Sequence, residues 1–224
     1  DTDLAALITD TKEEFEAVKK TLPPYTLMFT ISGLIRRPEE KIAYEEHFLA
    51  DVCKNEFTKI KLTDAFPGHP GAAGKLIKIL RSAWPEASNY WKNIPAGAYQ
   101  DLFFITKPEK TKRFIDAMKD ICGKHSYEFD KLGIYQQPIE HNRACQLQFS
   151  FFYDPADAAA VEEVKAIYDA AFEKMLELGG YFTRPYGNMA ERLYERAGSY
   201  TAALKKVKEL FDPENIMNPG NLCF

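Results

Sequence analysis

The stretch CQLQFSFFY, residues 145–153, sets Leu147, Phe149, Phe151 and Tyr153 on one side of an extended chain and Gln146, Gln148 and Ser150 on the other. A strand of this kind buries one apolar face and turns an amide-rich face away from the core. Upstream, DLFFIT (101–106) reads as a strand and is followed by Pro108. The helix after it carries Phe114, Ile115, Met118 and Ile121, and LGIYQQP (132–138) reads as the next strand. The same order of strand, helix and strand is predicted earlier in the chain. YTLMFTI (25–31) alternates Tyr25, Leu27, Phe29 and Ile31 against Thr26, Met28 and Thr30. A helix opens at Pro38 with Ile42, Phe48, Leu49, Val52 and Cys53 on its apolar side, and FTKIKLT (57–63) follows. Two such units beside the strand at 145–153 predict an α+β fold, a ferredoxin-like antiparallel sheet covered by helices on one face.

Residues 11–20 read as a short helix stopped by Pro23-Pro24, and residues 63–98, with FPGHPGAAG, a helical GKLIKILRSAW and the aromatic WPEASNYWKN, as an insertion. After Asp154-Pro155 the strongest helical period in the chain places Val161, Val164, Tyr168, Ala171, Phe172, Met175 and Leu178 on one face and ends at Gly179-Gly180. MAERLYER and TAALKKVKEL supply two more helices. With no Ser/Gly linker in the chain, residues 1–224 read as one domain, of which 155–224 is a C-terminal helical extension.

The 224 residues are 46% hydrophobic and 13% aromatic, enough for a packed core. The formal charge of −4 is spread over mixed helical faces without a basic run, which argues against nucleic acid as a partner. No apolar stretch approaches the roughly 20 residues of a membrane span. Cys53, Cys122, Cys145 and Cys223 form no CxxC pair and have no histidine at ligand spacing, so they are expected as reduced thiols, three of them in the core, with no metal bound. A cytoplasmic location follows. Asp1 in place of a methionine is expected not to be the native start.

The tail LKKVKELFDPENIMNPGNLCF (204–224) is a basic helix ending at Phe211, a turn at Asp212-Pro213 and a second stop at Asn218-Pro219-Gly220. A helix closing on LFDPENIMNPG resembles the end of the FAD-linked oxidase superfamily, which includes vanillyl-alcohol oxidase, p-cresol methylhydroxylase and the flavin subunit of glycolate oxidase. The resemblance runs from about His141 to Phe224, while residues 1–140 match the cap domain of that family only in pattern. It implies that this chain is the cap that closes over a flavin ring. FAD would be held mainly by a domain not in this chain, since no stretch here resembles the FAD-binding domain.

The glycolate and D-lactate branch carries GHxGDGNxH-like and GGTLSGEHG-like segments, whose histidines act as base and as substrate or metal contacts. The matching stretches here are EHNRACQLQ and GGYFTRPYG. His141 is kept, Gln148 replaces one histidine, and Tyr186 stands at the position of the active-site histidine. The phenol-oxidising branch holds its substrate as a phenolate with a Tyr-Arg pair, and Tyr181-Phe182-Thr183-Arg184-Pro185-Tyr186 offers an arginine flanked by tyrosines. The resemblance thus implies Arg184 as a clamp for an anionic group and Tyr186 as its catalytic companion. Tyr181, His141, Gln146 and Gln148 would bind substrate, and Asn218 would contact the flavin. Competing readings stay open: a surface ion pair for Arg184, core packing for the tyrosines and a solvated sheet face for the glutamines.

The function implied is the substrate-binding part of an FAD-dependent oxidoreductase that takes a hydride from an alcohol, hydroxy acid or alkylphenol. Its expected partners are an FAD-binding domain or subunit, a small organic substrate and an electron-transfer partner. The alternative is a non-catalytic ferredoxin-like binding or assembly subunit that docks on a separate flavoprotein chain.

Overall fold

A computed structural model describes residues 1–57, 59–63, 65–66, 69–81, 83 and 89–224. The chain divides into two compact units, one of Asp1 and Asp3–Ile94, the other of Pro95–Phe224 with Thr2.

The first unit is helical: α1 (Thr2–Ile8), α2 (Lys12–Lys19), α3 (Pro38–Asn55) and α4 (Ala72–Arg81). Helix α2 starts where the Thr11 hydroxyl accepts from the Glu14 amide at 3.2 Å, satisfying a donor that the first turn leaves unpaired. Its Phe15 and Val18 are buried with Leu4, Ala5, Ala6 and Ile8 of α1 and with Ala72 and Leu76 of α4.

Two expectations fail in this unit. Residues 25–31 and the described part of 57–63 form no strand, and Tyr25, Leu27, Met28 and Phe29 are exposed. Alternation makes a strand only where a neighbour completes the ladder and a surface covers the apolar face, and neither is present for these residues among the described ones. Helix α3 forms where Pro38 opens it, yet no residue of it is buried, Phe48 included. In the insertion, Pro67 and Gly68 of FPGHPGAAG and residues 84–88 of the aromatic stretch lie outside the described residues.

The second unit holds β1 (Ala98–Thr106), α5 (Thr111–Lys124), β2 (Gly133–Ile139), β3 (Ala144–Tyr153), α6 (Ala158–Glu177), α7 (Asn188–Arg196) and α8 (Gly198–Phe211). The strands form an antiparallel sheet in the order β1-β3-β2, the ferredoxin-like arrangement of strand, helix, strand, strand, helix. Among the described residues the repeated unit of the sequence therefore exists once, as β1-α5-β2, not twice. The alternation read in β3 holds as far as Phe149 and then fails in burial: Leu147, Phe149 and Phe151 are fully buried and Gln146 and Gln148 on the second face half-buried, but Ser150 on that face is fully buried too and Tyr153 is only half-buried. On the first face lie Phe114, Met118 and Ile121 of α5 and Val164, Ile167, Ala171, Phe172 and Met175 of α6. Asp157 caps α6 by accepting from Ala159 N at 2.9 Å.

Of the four thiols, Cys122 and Cys145 are buried and Cys53 and Cys223 only half-buried, so the core takes two, not three. Burial pushes the Cys122 thiol up to about 11, which keeps it unreactive.

Strand β2 ends its pairing at Gly133 opposite Ser150, which leaves the backbone of Phe152 without a ladder partner on that side. The Tyr127 hydroxyl takes that place, donating to Phe152 O at 3.2 Å and accepting from Phe152 N at 3.1 Å. Tyr127→Phe should strand both groups in the interior and destabilise the unit by about 1–3 kcal/mol, measured by urea unfolding.

Candidate functional site

Helix α6 ends at Glu177 with Leu178 as its C-cap, and Gly179 and Gly180 redirect the chain for separate reasons. Gly179 has φ +89, which a side chain disfavours. At Gly180 an added Cβ would meet the Phe104 ring at 2.9 Å and Met175 O at 3.0 Å, so no side chain fits. The redirected chain meets the outer edge of β1, where Tyr181 and Ile105 exchange backbone hydrogen bonds at 2.8 and 2.9 Å. At the far end Gln100 Nε2 donates to the Tyr186 hydroxyl oxygen at 3.4 Å. Tyr181 and Tyr186 are five positions apart, as are Ile105 and Gln100, so the segment lies along the edge of β1 where a fourth ferredoxin-like strand would run, held by backbone hydrogen bonds at Tyr181 and a side-chain hydrogen bond at Tyr186. Phe182 is buried between, its ring 5.4 Å from Phe104 and 4.8 Å from Phe172. The chain bends at Thr183 and Arg184, and Arg184 lies exposed there with no ion pair or side-chain hydrogen bond among the described residues. Gly180→Ala should force Phe104 aside and lower the Tm by several degrees, about 1–3 kcal/mol of overpacking, measured by thermal unfolding.

The register assigns each expected residue to a face. Tyr181 shares the second face of the sheet with Ile105, and the row continues through Gln146 to Gln137. The next rows on that face set Phe103, Gln148 and Tyr135 side by side, then Asp101, Ser150 and Gly133. Gln148 Nε2 donates to Ser150 Oγ at 3.3 Å. Tyr186 lies elsewhere. Its partner Gln100 pairs with Phe151, whose side chain belongs to the helix-covered core, so Tyr186 sits at the helix side of the β1 edge beside Tyr168 of α6. Burial, and after it the neighbouring Tyr186, hold the Tyr168 phenol above its usual range, so it remains a donor; its hydroxyl donates to Met189 Sδ at 3.3 Å. Gln100 and Tyr168 did not stand out in the sequence, where the strand reads from residue 101 and Tyr168 as a helix core position.

His141 is exposed at the tip of the β2–β3 hairpin, where Glu140, His141 and Asn142 all have positive φ. Asn218, at φ +52, is exposed in the tail. The tail is folded by Asp212, 8% exposed, whose carboxylate accepts from Ile216 N and Met217 N at 2.9 Å and from the Lys208 ammonium. The Lys208 bond above all, with the two amides, holds the Asp212 carboxyl below its ordinary value of 3.8 against the opposing effect of desolvation. A depressed carboxyl stabilises the fold above its unfolded pKa and loses that stabilisation as pH falls through the folded one. The turn should therefore loosen below pH 3.8, seen as a shift of the Ile216 and Met217 amide NMR signals that Asp212→Asn abolishes.

The sequence pattern of the family described as FAD linked oxidases, C-terminal domain, matches residues 24–222. The chain belongs to this family. A D-2-hydroxyglutarate dehydrogenase of Haemophilus influenzae (strain ATCC 51907 / DSM 11121 / KW20 / Rd) is 24% identical over 134 residues, covering 57% of this chain and 12% of that protein. The chain thus spans a small part of the relative it matches. No solved structure matches it.

For an FAD-linked oxidase C-terminal domain the distribution of polar groups is informative. Among the described residues no three His, Cys, Asp or Glu side chains gather as a metal site requires, and no helix is long and apolar enough to cross a membrane. A shallow depression of about 300 Å³ between α8 and the tail, lined by Lys205, Lys208, Asp212 and Phe224, is small for a ligand site and short of a dinucleotide. That depression does not by itself fit FAD. What the domain offers is a fixed edge segment that presents Arg184 and Tyr186, and an amide-rich sheet face.

Proposed function

We propose that this domain is the substrate-covering part of an FAD-dependent oxidoreductase, and that Arg184 clamps the carboxylate of a 2-hydroxy acid. The redox chemistry belongs to FAD held mainly by a domain or subunit outside these residues, and an electron-transfer partner would receive the electrons. The observation that carries the reading is the state of Arg184: exposed, without an ion pair among the described residues, and borne on a segment anchored at Tyr181 and Tyr186. A guanidinium left unneutralised on an anchored segment suits a planar anion, which it meets with two parallel hydrogen bonds.

Of the three substrate classes, the hydroxy acid is favoured because the curated relative acts on D-2-hydroxyglutarate, as its name states. Tyr186, beside Gln100, offers a hydroxyl to the same substrate. The polar second face, with Gln146, Gln148 and Tyr135, supports a pocket wall over an apolar docking surface. The test is anaerobic reduction of the flavoprotein that carries this domain by a 2-hydroxy dicarboxylate, a 4-alkylphenol and a neutral primary alcohol in turn. The hydroxy dicarboxylate should bleach the oxidised-flavin band. Bleaching by the phenol or the neutral alcohol, with none by the hydroxy acid, would contradict the assignment.

A further inference from the structure

We propose that Gln100 is a positioning residue for Tyr186: by donating to the phenol oxygen, it leaves the Tyr186 hydrogen to be given to an oxygen of the anionic substrate beside Arg184. This rests on the functional reading above and adds a residue to it.

The amide nitrogen of Gln100 has hydrogens to give and no lone pair to offer, so in the bond of 3.4 Å the Tyr186 oxygen is the acceptor. A phenol that accepts keeps its own proton for a different partner. The hydroxyl of Tyr168 is hydrogen-bonded to the Tyr186 hydroxyl as well as to the same amide, the contact with Tyr186 favouring Tyr168 with its proton on, and it donates to Met189 Sδ at 3.3 Å. Of the two phenols, only that of Tyr186 has an exposed side chain. Placement follows from the register. Gln100 stands on β1 opposite Phe151, a fully buried residue, so its backbone is fixed by the sheet. The bond to Tyr186 therefore ties a side chain two residues from Arg184 to a strand of the sheet, and sets the hydroxyl and the guanidinium on one short span.

The proposal makes Gln100→Leu and Gln100→Glu differ. Leucine removes the donor and frees the Tyr186 ring. Glutamate reverses the polarity, because its carboxylate accepts the Tyr186 hydrogen and takes it from the substrate. In the flavin-loaded protein, Gln100→Leu should raise KM for a 2-hydroxy dicarboxylate about tenfold with kcat less affected. Gln100→Glu should match Tyr186→Phe, and in the Tyr186→Phe background neither change at Gln100 should cost anything further. A second readout needs no turnover: with tyrosines labelled at Cζ, the 2-hydroxy dicarboxylate should displace the Tyr186 resonance in the wild type and not in Gln100→Glu. If the wild-type protein does not oxidise the hydroxy acid, the functional reading and this inference fall together. If it does, but the Gln100→Leu penalty is undiminished in the Tyr186→Phe background, Gln100 acts through the sheet and this inference alone is overturned.

Discussion

Arg184→Ala is expected to lower kcat/KM for the anionic substrate about 100-fold and to leave the fold intact. A charge-assisted hydrogen bond contributes about 1.5–3 kcal/mol, and a factor of ten in rate corresponds to about 1.4 kcal/mol, so the loss of a two-pronged clamp amounts to roughly two orders of magnitude. Arg184 makes no ion pair or side-chain hydrogen bond among the described residues, so its truncation removes nothing from the core. Stability should stay within about 0.5 kcal/mol of wild type, the usual range for a surface change. Arg184→Lys keeps the charge but not the fork, and should recover only about tenfold of the loss. Steady-state kinetics of the three proteins, set beside their melting curves, decide the matter. Equal kcat/KM in all three would make Arg184 a solvated surface residue.

The largest effect on stability is expected from Phe104→Ala, about 3–5 kcal/mol, a large share of the total for a domain. Phe104 is fully buried, and its ring lies 4.8 Å from Phe114, 6.3 Å from Phe149 and 5.4 Å from Phe182. It joins α5, β3 and the segment after Gly180 around one side chain. Its removal should leave a cavity and release Phe182, loosening the span that carries Arg184 and Tyr186. Urea unfolding should show a lower midpoint at unchanged slope, and kcat/KM should fall even where the protein remains folded. Phe104→Leu, which fills most of the volume, should lose far less on both counts.

The elements that were legible in the sequence carry their period within themselves. In β3 every second residue is apolar and in α6 the apolar residues recur at three and four, and both elements formed as read. The tail was legible for a different reason: Asp212 makes its hydrogen bonds to residues four and five positions on, so the turn is encoded locally. The alternation of residues 25–31 is as regular as that of β3, yet it became no strand, because a strand needs a partner and its sequence cannot name one. The site shows the same division. Arg184 and Tyr186 stood out because the stretch after Gly179-Gly180 resembles the active-site segment of the family. Their anchorage to β1 depends on a register between residues some 80 positions apart, and so Gln100 was invisible. The placement of Tyr181 and Tyr186 on different sides of the sheet edge likewise follows from that register and not from their nearness in sequence.

The central claim is that this domain works over a flavin held outside it, and the most direct test is the intact mass and visible absorbance spectrum of the protein purified from its native source. The chain should be found within, or tightly bound to, a yellow polypeptide that carries FAD. A colourless protein consisting of this chain alone would contradict it.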